Sequence, residues 1–281
     1  MKTRNALSLV LLLAGLTVTA FSQASPQFKR TTTKTDRFEF GVGGTVAITG
    51  APLGSIRVEG WKNREIEITA EIYVEGTSEQ DLATLGAVTT FVTEESLGRT
   101  GIISVGTHDK KYMKSAGKKF PKHLLTMPTR IDYVVRVPQY TDLQIDGGIG
   151  DLTIDGVEGV FKLNFIETHA KLNLVGGSVM GVFGKGSVDV VIPRPNWRGR
   201  FAEVSLASGE MSVQLPRGMN GELEATILRT GKIENDFKEL SPRIRKAEFT
   251  DKSVVAKSGV GGIQLKFTVG DGTLKLSPVG G

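Results

Sequence analysis

The chain has 281 residues, 35 of them glycine and none cysteine, with 23% charged and 7% aromatic residues. The lack of cysteine excludes disulfides, thiol catalysis, Cys-based zinc or iron–sulfur sites and a lipid attached through Cys, and three histidines (His108, His123, His169) leave little for acid–base or metal chemistry. The net charge of +5 is local: from Pro138 onward 17 basic residues balance 17 acidic ones, and the excess lies in Lys110, Lys111, Lys114, Lys118, Lys119 and Lys122, opposed there by Asp109 alone.

Lys2 and Arg4 precede an apolar run from Ala6 to Ala20, and Ser22-Gln-Ala24 sets small residues where a signal peptidase reads them. This is the pattern of a secretory signal over residues 1–24, cleaved after Ala24, because the run falls short of the ~20 apolar residues of a membrane span. An uncleaved anchor is the alternative. An exported chain without cysteine must be held by its core and backbone ladder alone. Residues 25–37 are polar, Thr-rich and without periodicity, which reads as a flexible leader.

From Phe38 the alternation has period two. Gly54-Ser-Ile-Arg-Val-Glu-Gly60 sets Ile56 and Val58 on one face and Arg57 and Glu59 on the other, and Glu65-Ile-Glu-Ile-Thr-Ala-Glu-Ile-Tyr-Val-Glu75 repeats it. Residues 78–86 are the one helix candidate, with Ser78 as N-cap and Gly86 as stop. Gly101–Gly106 predicts a strand, 107–124 a basic loop, and Ile131–Val137 a strand ending at Pro138.

Beyond Pro138 the chain repeats a unit of a turn residue followed by alternating positions. It opens at Gly150, Ala170, Gly186, Gly209 and Gly231, spaced 20, 16, 23 and 22 residues apart, with related copies at Gly262 and Gly272. A repeat near this length, carrying one short strand per copy, predicts an all-β fold of stacked parallel coils. In such a β-solenoid Leu152, Ile154, Leu172, Leu174, Val188, Val190, Met211 and Val213 share one core, while Asp151, Lys171, Asp189 and Glu210 face solvent. An antiparallel β-sandwich is the alternative.

With Gly54–Trp61, Glu65-Ile-Glu-Ile, Ile131–Pro138, Asp142-Leu-Gln-Ile-Asp and the repeated units in this order, residues 38–276 resemble the bacterial putative-adhesin β-repeat domains. The resemblance implies an exported β-solenoid at the cell envelope, with no catalytic residues to carry over and residues 277–281 as a tail. The Lys-rich segment departs from the family pattern, as do most of the corners, which have Gly147-Gly, Gly184-Lys-Gly or Ser208-Gly in place of its frequent Asn-Gly pair.

Enzyme motifs are few. Gly181-Val-Phe-Gly-Lys-Gly-Ser187 lacks the first Gly and the Ser or Thr of a phosphate loop, with Val179 and Gly186 in those places. Asp142, Asp146, Asp151 and Asp155 could with backbone oxygens hold Ca²⁺, or serve glycoside chemistry if one were buried, but an alternating strand leaves them in water. His108 and His123 could share a metal only if the segment between them closes.

The six lysines, with Tyr112 and Phe120 among them, are the candidate binding site. Their expected partner is an anionic envelope polymer, glycan or another surface protein, not nucleic acid. No cofactor or metal is expected. The expected function is therefore non-enzymatic surface contact or envelope structure; a carbohydrate-active β-helix enzyme and an envelope sensor contacting a membrane partner are the alternatives.

Overall fold

The computed structural model describes residues 28–116, 120–244 and 248–280, so the signal segment and its cleavage site at Ala24 lie outside the described residues. The protein is all-β: among the described residues 17 strands form one hydrogen-bonded, open sheet of mixed orientation, with two short helices.

Four long strands form the middle: β10 (Glu158–Asn173), β11 (Gly176–Val191), β12 (Arg198–Leu215) and β17 (Ile263–Pro278). Each bends once, so it has a first and a second leg, and neighbours run parallel. On one side β8 (Asp142–Ile149) and β9 (Leu152–Asp155) lie parallel to the two legs of β10. Beyond them stand β2 (Thr45–Thr49) and β3 (Ile56–Trp61). On the other side β13 (Gly221–Ile227) and β14 (Gly231–Asn235) lie parallel to the legs of β17.

Both ends of the stack turn antiparallel. β1 (Phe28–Glu39) pairs with β4 (Glu65–Gly76), and β4 with β7 (Thr129–Pro138), which is parallel to β3. β5 (Thr90–Ser96) pairs with β6 (Arg99–Val105), which is parallel to β2. At the far end β16 (Ser253–Ser258) runs antiparallel to β13 and to the two-residue β15 (Ser241–Pro242).

Period two produces this stack, because alternate side chains of a strand leave opposite faces. Leu152, Ala170, Val188, Met211, Leu274 and Ile233 form one buried column by register, and Ile154, Leu172, Val190, Val213 and Leu276 the next. Burial at any one of these positions contributes roughly 1.5–3 kcal/mol for a large aliphatic. Size is compensated between neighbours: Gly147 leaves room for Phe165, whose ring would stand 2.1 Å from a Cβ there, and Phe165 stacks on Phe183 at 6.3 Å.

Three expectations need correction. Residues 28–37 are not a leader but most of β1, paired with β4 along its whole length. A polar, Thr-rich strand survives because the backbone ladder is independent of side-chain period and β-branched residues suit an edge. Ion pairs fasten it, Lys29 to Glu75 at 3.3 Å and Arg30 to Glu79 at 2.7 Å. Second, the copy expected to open at Ala170 opens two residues earlier: Thr168 stands beside Gly186, and Ala170 beside Val188 and Leu152. Third, β17 runs through Pro278, so the ladder continues into the expected tail.

The helix expected at 78–86 is α1 (Glu79–Val88), and Gly86 does not stop it. Ser78 caps it by accepting from the Asp81 N–H at 3.1 Å, and Leu82 and Leu85 are buried.

Candidate functional site

The basic segment follows β6, and it is not a loop throughout. Asp109 accepts hydrogen bonds from the N–H groups of Lys111 and Tyr112 at 2.9 and 3.0 Å. That starts helix α2 (Lys110–Ala116), since a side-chain acceptor satisfies otherwise orphaned first-turn donors. At ~100° per residue, Lys110, Lys111 and Lys114 fall within one arc of about 100°. All three are exposed, while Tyr112 and Met113 are half-buried. Lys122 is exposed at the start of a 3₁₀ turn (Lys122–Thr126) whose Leu124 joins the core. Lys118 and Lys119 lie outside the described residues.

None of Lys110, Lys111, Lys114 and Lys122 has an ion-pair partner among the described residues, whereas most cations of the sheet faces do. Arg136, for instance, lies between Glu59 at 3.2 Å and Glu67 at 2.8 Å, and these two carboxylates hold its guanidinium above its ordinary value.

The two histidines that bracket the segment do not meet. His108 Nε2 lies 3.3 Å from the carbonyl of Ser104, and His123 Nε2 lies 3.2 Å from the Asp81 carboxylate. They tether the two ends of the basic segment to β6 and α1. Asp81 also accepts from the Thr77 hydroxyl at 2.6 Å, which with His123 and Ser78 holds it down at about 2 against the opposing effect of burial. Ser78 marked a helix start in the sequence, but no local pattern joins it or Asp81 to His123.

Other sequence candidates are engaged structurally. Asp155 accepts from Asn173 at 2.6 Å, Asp146 from Asn164 at 3.4 Å, and Asp142 from the Val160 N–H at 2.7 Å. His169 lies on Ser187 at 2.9 Å. Among the described residues no three His, Asp or Glu side chains gather to hold a metal ion, and no helix is long and apolar enough to cross a membrane. The carboxylates displaced from their ordinary values, Glu75, Asp81, Glu234 and Asp271, all move down. A general acid needs the opposite direction.

No family model matches the chain, and no curated protein does. Among solved structures it is similar to a putative cell adhesion protein from Clostridium sporogenes ATCC 15579. That likeness has 14% identity over 89% of this chain and 100% of the other, with a TM-score of 0.49. A putative adhesin from Bacteroides fragilis NCTC 9343 shows 10% identity over 88% and 97%, with a TM-score of 0.38. A structure described as a putative lipid binding protein, from Parabacteroides distasonis ATCC 8503, shows 10% identity over 88% and 96%, at 0.24. The first two descriptions name the kind of protein that the sequence resembles.

Proposed function

We propose that this chain is an exported, non-enzymatic β-solenoid that works by contact at the cell envelope, and that its basic segment docks an anionic envelope polymer. The observation that carries the docking is the arc of Lys110, Lys111 and Lys114 on α2, with Lys122 after it, exposed and without ion-pair partners among the described residues. The parallel registers from β3 through β9, β10, β11, β12 and β17 to β14 support the solenoid. The signal pattern before Ser25 supports export. The downward displacement of the shifted carboxylates supports a role without acid–base chemistry.

Ammonium groups are hydrated point charges without a fork geometry, so such docking is chiefly electrostatic. Titration with a teichoic- or lipopolysaccharide-type polymer should weaken steeply with salt, as the Debye length falls from ~10 Å at 0.1 M to ~3 Å at 1 M. Lys110→Gln, Lys111→Gln, Lys114→Gln and Lys122→Gln together should abolish it, and Asp151→Asn with Asp155→Asn should leave it unchanged. Salt-insensitive binding, or binding retained by the four-Lys variant, defeats the reading.

A further inference from the structure

Outward side chains of the first legs form ordered rows, because each parallel pairing keeps the same residues side by side. One row reads Gln144, Lys162, Met180, Glu203, Lys266 and Glu224, with Ala47 covered at its β2 end; the next reads Thr49, Asp146, Asn164, Val182, Ser205, Thr268 and Thr226. At the bend Ile166 comes beside Gly184, whose Cβ position lies 2.3 Å from the Ile166 carbonyl oxygen. A diagonal apolar stripe results: Ile149 is 46% exposed, Ile166 68%, Val182 60% and Met180 38%. Such a run approaches the ~300–600 Å² of the largest apolar patch on an ordinary monomer, which is often functional.

We propose that this face, centred on Met180 and Val182 of β11, is a self-association surface whose occupant is a second copy of this chain. The argument is charge complementarity under a two-fold axis. Turning a copy over about an axis along β11 sets the β10 side of one copy on the β12 side of the other. Met180 then meets Met180, and Val182 meets Val182. Lys162, which has no ion pair among the described residues, meets Glu203 of the second copy, which Lys266 of its own chain approaches at 3.0 Å from the other side, and Asn164 meets Ser205. One strand further out Gln144 meets Lys266 and Asp146 meets Thr268; beyond these Thr49 meets Thr226. No like charges are opposed in either row.

The available area also suffices. Seven strands span six gaps of ~4.8 Å, and about eight residues of ~3.3 Å along them present roughly 750 Å² per copy. Two copies bury about 1,500 Å², within the ~1,200–2,000 Å² of stable interfaces.

Sedimentation of the mature chain over a concentration series tests this. A monomer–dimer equilibrium is expected, and Val182→Lys should weaken it about tenfold or more, the effect of losing ~1.4 kcal/mol. Melting at concentrations where both proteins are monomeric should be unchanged, because the side chain faces outward. Lys162→Glu alone should weaken the dimer by opposing carboxylates, and adding Glu203→Lys should restore it. A chain monomeric at every concentration overturns the proposal, as does a dimer indifferent to Val182→Lys or a double variant no better than Lys162→Glu. A monomer that binds neutral lipid vesicles through Val182 also overturns it and assigns the stripe to a lipid surface.

Discussion

A Cβ placed on Gly272 would lie 1.8 Å from the carbonyl oxygen of Gly209. The two residues stand side by side at the bend of β17 and β12, though most of the C-terminal third of the chain separates them. Gly272 also has φ +141, where side chains other than hydrogen are strained. Gly272→Ala should therefore cost about 2–4 kcal/mol, from backbone strain and a contact that only a main-chain shift relieves. Gly41→Ala, where nothing lies within 4 Å of the added methyl, should change denaturant stability by less than ~0.5 kcal/mol.

Leu172 and Lys171 are neighbours with opposite fates. Leu172 is 1% exposed in the column between Ile154 and Val190, so Leu172→Asp sets an unpaired carboxylate in the core. Loss of cooperative folding is expected, at a cost above ~4 kcal/mol. Lys171 is exposed beside Asp189, and Lys171→Asp should cost only about 0.5 kcal/mol, through like-charge repulsion across the pair. Urea unfolding of the two variants separates these outcomes. Equal losses would contradict the inward–outward assignment of β10.

Asp81 makes stability depend on acid. Its carboxyl is held at about 2 in the folded chain against 3.8 otherwise, chiefly by the Thr77 hydroxyl. A depressed carboxyl stabilises the fold above its unfolded value, and that contribution is lost as pH falls through the folded value. The window is therefore pH 3.8 down to 2. Asp271, pulled down chiefly by Arg229, acts in the same direction. Asp81→Asn should be less stable at neutral pH and lose less stability on acidification. Thermal melts of both proteins across that window check it; parallel curves would remove Asp81 from the acid response.

β17 lies between β12 and the pair β13 and β14, which precede it in the chain. Ending the chain after Gly262 would take Leu265, Phe267, Val269, Leu274 and Leu276 out of the core and leave β12 with an unpaired edge. Such an edge templates pairing with other chains. The truncated protein should aggregate, or melt without cooperativity, when followed by light scattering and circular dichroism. A soluble, cooperative product would mean that residues 28–262 close their own core.

The alternation in the sequence determined which side chains of the repeats lie inside, because a pleated strand has only two faces and apolar residues occupy one. Leu152, Leu172, Val188 and Met211 were legible for that reason, as was α1 from its Ser78 cap and the cluster of exposed lysines from charge alone. Only the tertiary structure decided which strand lies beside which. Each interior column accepts any apolar residue of suitable size, so nothing local directs β17 to β12 or makes Thr168, rather than Ala170, the corner residue beside Gly186. The same holds for β1, whose polar residues carry no face and which is recruited through backbone hydrogen bonds to β4. The His123–Asp81 tether and the row from Lys162 to Glu203 arise likewise, from segments distant in the chain that a ladder blind to side-chain identity sets in register.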